Sequence, residues 1–532
     1  MDFSAPLQTL IDATRARDVS DTVRLSARRT PGRTALVYEG HRDTFAELDT
    51  LVDRMANALR AKGVGEGDRV ALVSHNNRTF VVIRFAVARL GAVLAPINFM
   101  LNASEIAYIL SMSGARFVIA EDALCSTVDA AIHESGTQAR VRGFIPHAGV
   151  AAPEGWEDAD GWLSWPDATP VRVIRSEDLP TQMMFTSGTE SRPKGALLST
   201  RSLFSQYVSC IIDGGMEEND IDLHSLPLYH CAQLDCFLTP DLYLGATSIL
   251  LRAPDAGRLL EAIEAEGVTK LFCPPTVWIA MLRHPDFDRR DISTLKKGYY
   301  GASVMPTPII EELLTRIPGL RLYNFYGQTE LAPVATILKP EDQLRKLGSA
   351  GRPGLNVETR IVDDGDQEVA PGEVGEIVHR SAQVTNGYFR DEEKTAAAFA
   401  GGWFHSGDLG YMDEEGYLYV VDRKKDMIKS GGENVASREV EEQIFTHPKV
   451  AEVAVLGLPH PRWIEAVVAV IVPREGMSLT QEELDAFCRD RLAGYKRPKH
   501  FAIVSELPKN ASGKILKRDL RVQFSGVFDD AV

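Results

Sequence analysis

Residues 68–74 (DRVALVS) form a short, mostly apolar run, and residues 77–90 follow with apolar side chains at helical spacing until Gly91 ends the pattern. A brief apolar run bounded by turn formers suits a strand buried on both faces. The same pairing returns along the chain. Strands are expected over 115–120, 269–273 and 297–300, with helices near 124–134, 276–283 and 307–316 behind them. Strands separated by helices must be joined by crossovers, which yields mostly parallel sheets covered by helices. The expected fold class is therefore α/β. A chain of 532 residues is too long for one hydrophobic core, so the N-terminal body should contain more than one subdomain.

The pattern changes twice. Residues 148–170 are rich in Ala, Gly, Pro, Asp and Trp and read as a surface excursion. After about Gly354, strand-like runs at 357–362, 375–380 and 416–421 are separated by Gly/Asp turns, which indicates a small β-rich unit closing the N-terminal body. The charged stretch Asp422-Arg423-Lys424-Lys425-Asp426 marks the second change. Beyond it, helices at 437–445 and 481–492 and strands at 450–458, 466–472 and 500–504 make an α+β module. The expected division is an N-terminal domain over 1–421 and a C-terminal domain over 422–532.

Composition narrows the function. With 44% hydrophobic and 25% charged residues the chain is an ordinary globular one. Its net charge of −16 argues against a general nucleic-acid binder, which needs a basic stripe. Any anionic ligand must be held by local groups. The six cysteines make no Cys-x-x-Cys pair and are expected reduced and buried, which suits the cytoplasm. No run approaches 18 apolar residues and the N-terminus has no signal-peptide pattern, so no membrane span is expected.

Two distant segments carry the first chemical signal. Thr186-Ser187-Gly188-Thr189-Glu190-Ser191-Arg192-Pro193-Lys194-Gly195 offers hydroxyls, backbone N–H groups at glycines and one ammonium, which suits phosphate oxygens. It lacks the Gly-x4-Gly-Lys-Ser/Thr spacing of a Walker A loop. Near the C-terminus, Pro508-Lys509-Asn510-Ala511-Ser512-Gly513-Lys514 places a lysine after a glycine hinge. Between them lie Tyr323-Asn324-Phe325-Tyr326-Gly327-Gln328-Thr329-Glu330, Trp403-Phe404-His405-Ser406-Gly407-Asp408 and the run from Asp422 to Asn434. Asp408 is an acceptor-only carboxylate suited to ribose hydroxyls, Arg423 a fork for ribose or phosphate oxygens, and Glu330 a hard oxygen ligand suited to Mg²⁺.

These five ordered segments resemble the signature motifs of the adenylate-forming superfamily, which includes acyl-CoA synthetases, peptide-synthetase adenylation domains and firefly luciferases. The resemblance covers nearly the whole chain and implies an AMP-forming carboxylate–CoA ligase using ATP, Mg²⁺ and CoA. It implies that Thr186, Ser187, Gly188, Thr189 and Lys194 bind phosphates. Gly301, Ala302, Ser303, Asn324, Tyr326, Gly327, Gln328, Thr329, Asp408, Val420 and Arg423 would line the nucleotide site, with Glu330 as the Mg²⁺ ligand. Lys514 would act on the α-phosphate, with Thr186 and Glu330 assisting. His230, in Leu226-Pro227-Leu228-Tyr229-His230, would gate the carboxylate pocket, with Leu234, Trp278 and Gly301 as further acyl contacts and Phe237 and Met281 as possible walls. Lys429, Gly431, Gly432 and Arg497 would meet CoA. The C-terminal domain would rotate about Asp422 between half-reactions.

Two departures leave questions open. Glu190-Ser191 stands where the family has a hydroxyl–glycine pair, which adds an acid to the phosphate loop. Cys231 stands where amino-acid-activating relatives place an ammonium-binding aspartate, and Leu234 where some long-chain enzymes carry a gate tryptophan. A medium-chain fatty acid or an aryl acid fits best. A carrier protein, an amine or another nucleophile as acceptor, a luciferase-like oxygenase and a weakly catalytic nucleotide-binding regulator stay open, as does a homodimer.

Overall fold

A computed structural model of the chain describes residues 4–186, 193–303, 305–430, 433–510 and 514–528. The chain forms two compact units. One comprises Met1–Leu347, Pro353–Glu358 and Arg380–Gly402; the other comprises Gly348–Arg352, Thr359–His379 and Trp403–Val532.

The first unit contains two helix-covered sheets. One runs in the order Glu157–Asp158, Val141–Ile145, Phe117–Glu121, Arg69–Val73, Val93–Ile97, Pro180–Thr186, Lys194–Ser199. All its pairings are parallel except the last, where Pro180–Thr186 and Lys194–Ser199 pair antiparallel. The crossover helix Arg78–Arg89 is buried from Thr79 to its end. It begins where the Asn77 side chain accepts from Phe80 N and ends before Gly91, whose φ of +65° suits a residue without a Cβ. The other sheet runs Val334–Leu338, Arg321–Gly327, Lys297–Gly301, Lys270–Phe272, Ile221–His224, Thr247–Leu250, Thr34–Tyr38, His41–Thr44. Its inner pairings are parallel and both outer ones antiparallel. The α/β class expected from strand–helix alternation holds.

Residues 148–170 differ in part from expectation. They are mostly exposed, as a surface excursion should be, but Trp156 and Trp162 are buried and Glu157–Asp158 extends the first sheet beside Val141–Ile145. A Cβ on Gly143 would stand 2.8 Å from the Trp162 ring, so that glycine makes room for the indole. Two large aromatic surfaces outweigh the turn-forming composition around them.

Inside the second sheet of this unit lies a charge network with no exposure to solvent. Lys270 Nζ lies 3.3 Å from Asp222 and also pairs with Asp241, while His224 Nε2 lies 3.6 Å from Asp241. The group Asp222, His224 and Asp241 has metal-ligand character, but the lysine ammonium already sits against its two carboxylates. Burial drives the His224 imidazole down to about 4, so it is neutral at pH 7.

The second unit has a sheet ordered Val357–Val362, Gly375–Ser381, Phe404–Met412, Leu418–Arg423. A further sheet runs Glu433–Val435, Ile428–Ser430, Ile464–Pro473, Val450–His460, with His500–Ile503 parallel to Ile464–Pro473. Val440 and Ile444 of helix Ser437–Phe445 and Leu484 and Cys488 of helix Gln481–Arg489 share a core with Val453, Val455, Val467, Ile471 and Phe501. That second helix stops at Arg489, three residues short of the expected end. All six cysteines are free and buried. Among the described residues, no helix is long and apolar enough to cross a membrane.

Candidate active site

In the first unit, Thr186 pairs directly with Lys194 at the end of the antiparallel strands. The residues between them that were expected to hold phosphate, Ser187, Gly188 and Thr189, lie outside the described residues, as do Glu190 and Ser191. Beyond the sheet edge, the segment from Thr385 to Phe389 lies along Lys194–Ser199. Leu197 N donates to Gly387 O (3.0 Å), Phe389 N donates to Gly195 O (2.8 Å), and Ala196 bridges Tyr388. This register sets the Tyr388 ring 5.1 Å from Lys194 Nζ. The Tyr388 hydroxyl donates to Glu330 Oε1 (3.0 Å), and Thr385 N donates to the Glu330 carbonyl (2.7 Å). Glu330 is only 7% exposed, a depth at which a carboxylate needs donors. Sequence reading singled out Lys194 and Glu330 but missed Tyr388. Its only local mark is a Gly-Tyr pair, and its position beside Lys194 depends on pairing across nearly 200 residues.

The strands Lys297–Gly301 and Arg321–Gly327 run parallel, with Gly301 opposite Phe325. A Cβ on Gly301 would meet Phe325 O at 2.4 Å, and one on Gly327 would meet Pro333 O at 1.9 Å. Backbone approach alone therefore demands glycine at both positions. Ala302 and Ser303 are exposed just past the strand end, and Ala302 has φ +63°, a strained value for an alanine. Asn324, Tyr326, Gln328 and Thr329 are half-buried at the same C-terminal edge, where open α/β sheets take ligands. The Gln328 amide nitrogen is buried without a hydrogen-bond partner among the described residues.

His230 caps a short helix, with Nδ1 accepting from Ala232 N at 3.1 Å. A neutral imidazole held this way carries its proton on Nε2 and can donate it to a carboxylate. Cys231 Sγ lies 3.4 Å from Thr329 Oγ1, which brings the His230 segment to the Thr-Glu motif. Burial pushes the Cys231 thiol up to about 12, so the position is uncharged. The four apolar candidates pack in three cores. Leu234 belongs to the core containing helix Arg78–Arg89. Phe237 stacks 4.5 Å from Phe272 in an aromatic cluster. Trp278 lies with Met281 in a third core, its indole donating to Tyr299 O (3.0 Å).

In the second unit, Asp408 stands opposite Arg423 on paired strands, with Arg423 Nε 3.3 Å from Asp408 Oδ1. Lys514 joins them. Its backbone is fixed by Asn510, which donates from N to Lys514 O (2.9 Å) and accepts from Lys514 N through its side chain (2.8 Å). Lys514 is exposed as a residue, but the Arg423 guanidinium and then desolvation of the ammonium pull it down to about 8, against an opposing pull from Asp408. Asp422 accepts from Ser437 N (2.6 Å) at the start of helix Ser437–Phe445, and the carbonyl of Val420 accepts from Arg438. Lys429 is exposed, its N–H donating to Glu465 (2.7 Å). Arg497 is half-buried with Nε lacking a hydrogen-bond partner. Gly431 and Gly432 lie outside the described residues.

These two sets of residues belong to a defined class. Residues 23–389 match the AMP-binding enzyme family and residues 439–514 match the AMP-binding enzyme C-terminal domain. A feruloyl-CoA synthase of Amycolatopsis sp is 39% identical over 94% of this chain and 97% of that protein. An indoleacetate–CoA ligase of Aromatoleum aromaticum is 36% identical over 95% of this chain and 98% of that protein. A crystal structure of the anthranilate CoA ligase AuaEII in complex with anthranoyl-AMP superimposes with a TM-score of 0.88, at 25% identity, over 96% of this chain and 97% of that one. The chain belongs to the AMP-binding enzyme family, within the adenylate-forming superfamily. It is an AMP-forming acyl-CoA synthetase, an acid–thiol ligase with ATP and CoA as co-substrates.

Proposed function

We propose that the acid is aromatic, an aryl, arylalkanoic or arylpropenoic acid, and that the residues above divide the two half-reactions between them. The names of the feruloyl, indoleacetate and anthranilate relatives support an aromatic acid. The neutral Cys231 beside His230 supports an acid without a nearby ammonium group. The observation that carries the division of labour is the grouping of Asp408, Arg423 and Lys514. Asp408 binds ribose hydroxyls, Arg423 ribose or phosphate oxygens, and Lys514 the α-phosphate. The acid's carboxylate, held by His230 Nε2–H, attacks the α-phosphorus. The bond to the β-phosphate breaks and pyrophosphate leaves, with Lys514 and Lys194 stabilising the charge on the oxygens. In the second step the CoA thiolate attacks the acyl carbonyl and AMP leaves. Rotation of residues 422–532 about Asp422 exchanges the two steps, and Lys429, Gly431, Gly432 and Arg497 meet CoA.

Glu330 is a buried carboxylate held by the Tyr388 hydroxyl, a hard-oxygen ligand that fits Mg²⁺ carried by a triphosphate. When bound, the ion would neutralise part of the triphosphate charge. The test is pyrophosphate release with ferulate, indoleacetate, benzoate, hexanoate and octanoate, with and without CoA. Aromatic acids should exceed the straight-chain acids in kcat/KM by at least about tenfold, which corresponds to 1.4 kcal/mol. An octanoate preference would overturn the aromatic assignment. Transfer to a carrier protein or an amine but not to CoA would overturn the acceptor.

A further inference from the structure

We propose that Tyr388 is a positioning residue for adenylation: its hydroxyl fixes the carboxylate of Glu330 and its ring fixes the ammonium of Lys194, so that one side chain aligns the two groups that meet the metal–triphosphate. The inference rests on the assignment of Glu330 and Lys194 to that ligand. The segment from Thr385 to Phe389 adds to the edge of strand Lys194–Ser199 through three backbone hydrogen bonds and a bridge at Ala196, so the Tyr388 backbone cannot slide relative to Lys194. Tyr388 N also donates to Thr395 Oγ1 (3.0 Å), which fixes its other side. From that anchored position the ring lies 5.1 Å from Lys194 Nζ, within cation–π range, while the hydroxyl donates to Glu330 Oε1. The same segment holds the Glu330 backbone through Thr385 N. Glu330 is thus held at both its carbonyl and its carboxylate by one stretch of chain.

The physical consequence is specific. A carboxylate has capacity for about four hydrogen bonds or metal contacts, so the proton donated by Tyr388 can fix the plane of the group without using up its oxygens. Outer partners of this kind change metal affinity by about 10–100-fold when removed. The ring and the hydroxyl do separable work. Tyr388→Phe keeps the cation–π contact with Lys194 and deletes the donor to Glu330. Tyr388→Leu deletes both.

Two measurements test this on the full-length enzyme. One is the Mg²⁺ dependence of pyrophosphate release at saturating ATP and acid. The other is binding of Mn²⁺ with ATP, in the absence of acid, followed by electron paramagnetic resonance. Tyr388→Phe should raise the Mg²⁺ half-saturation and the Mn²⁺ dissociation constant by roughly tenfold, the scale of one hydrogen bond to a charged group. The KM for the acid and thioester formation from supplied acyl-AMP should stay at wild-type values. Tyr388→Leu should add a rise in the KM for ATP that Tyr388→Phe lacks. Glu330→Gln is the control. If it weakens Mn²⁺ binding and Tyr388→Phe does not, the positioning role is overturned and the Glu330 assignment stands. If Glu330→Gln leaves Mn²⁺ binding unchanged, the metal assignment beneath it is overturned. If the two Tyr388 variants lower all rates equally with a shared fall in melting temperature, the tyrosine is structural only and the proposal fails.

Discussion

Lys514 combines two demands that oppose each other. It must be protonated to stabilise negative charge, yet the Arg423 guanidinium beside it, and then desolvation of the ammonium, pull it down to about 8 although the residue as a whole is exposed. A lysine lowered in this way is mostly charged below that pH and loses its proton as the pH rises through it. Adenylation by the free enzyme should therefore fall on an alkaline limb near pH 8. Arg423→Met removes the largest lowering influence, so kcat/KM should drop while the limb moves to higher pH. A limb unmoved in the variant would mean another group sets it. Lys514→Ala should reduce acyl-AMP formation by about 10²–10³-fold, the usual cost of removing such a donor, and spare thioester formation from supplied acyl-AMP. Equal loss in both steps would make the lysine structural.

Asp422 shows how one residue can serve an element as well as a proposed hinge. Its carboxylate accepts the first backbone N–H of helix Ser437–Phe445 and also the N–H of Arg423 (2.8 Å), so it acts as a cap reaching in from a neighbouring strand. Asp422→Ala should cost about 1 kcal/mol at that helix start, the usual worth of such a cap. Asp422→Pro removes the same cap and also fixes φ, so only it should block the exchange between half-reactions. The comparison needs separate rates for adenylation and thioester formation, and a matching loss in both variants would discard the hinge. Much at this scale was legible in the sequence. The strands and helices that apolar runs and turn formers mark lie close to where the sequence puts them, Lys297–Gly301 and Thr307–Arg316 within a residue, whereas Val93–Ile97, Ala103–Ser113 and Thr200–Asp213 carried no such reading. The exceptions have physical reasons. Trp156 and Trp162 turned a turn-rich segment into packed structure, and Tyr388 acquired its place through strand pairing with residues far away in sequence. Leu234, Phe237, Trp278 and Met281, each a possible pocket wall in the chain, pack in three cores, Trp278 and Met281 from the separate helix Pro275–Arg283.

For the molecule as a whole, the buried network of Lys270, Asp222, Asp241 and His224 ties the central sheet to the site. His224 Nδ1 pairs with the Gln233 amide (2.7 Å), and Gln233 Oε1 accepts from Leu226 N (3.3 Å), the first residue of the segment that carries His230. The ion pairs thus extend by hydrogen bonds to the proposed carboxylate gate. Burial opposes charge on Lys270, but Asp222 and Asp241 outweigh it and hold the ammonium above its ordinary value. Burial raises both aspartates, Asp241 most. Removing the only cation of this network should therefore cost far more than removing a surface pair. Lys270→Met should destabilise the first unit by about 3–5 kcal/mol, because two buried acids lose their partner. Replacing Asp222 and Asp241 by leucine in the same background should restore much of that loss, since an apolar core of similar volume can match a buried ion network. Thermal unfolding of the full chain measures both variants. If Lys270→Met melts with the wild type, the network is not an ion pair, and its link to His230 carries no energy. If the triple variant recovers stability but still activates the acid poorly, the network's contribution is to the placement of Leu226–His230 rather than to the core.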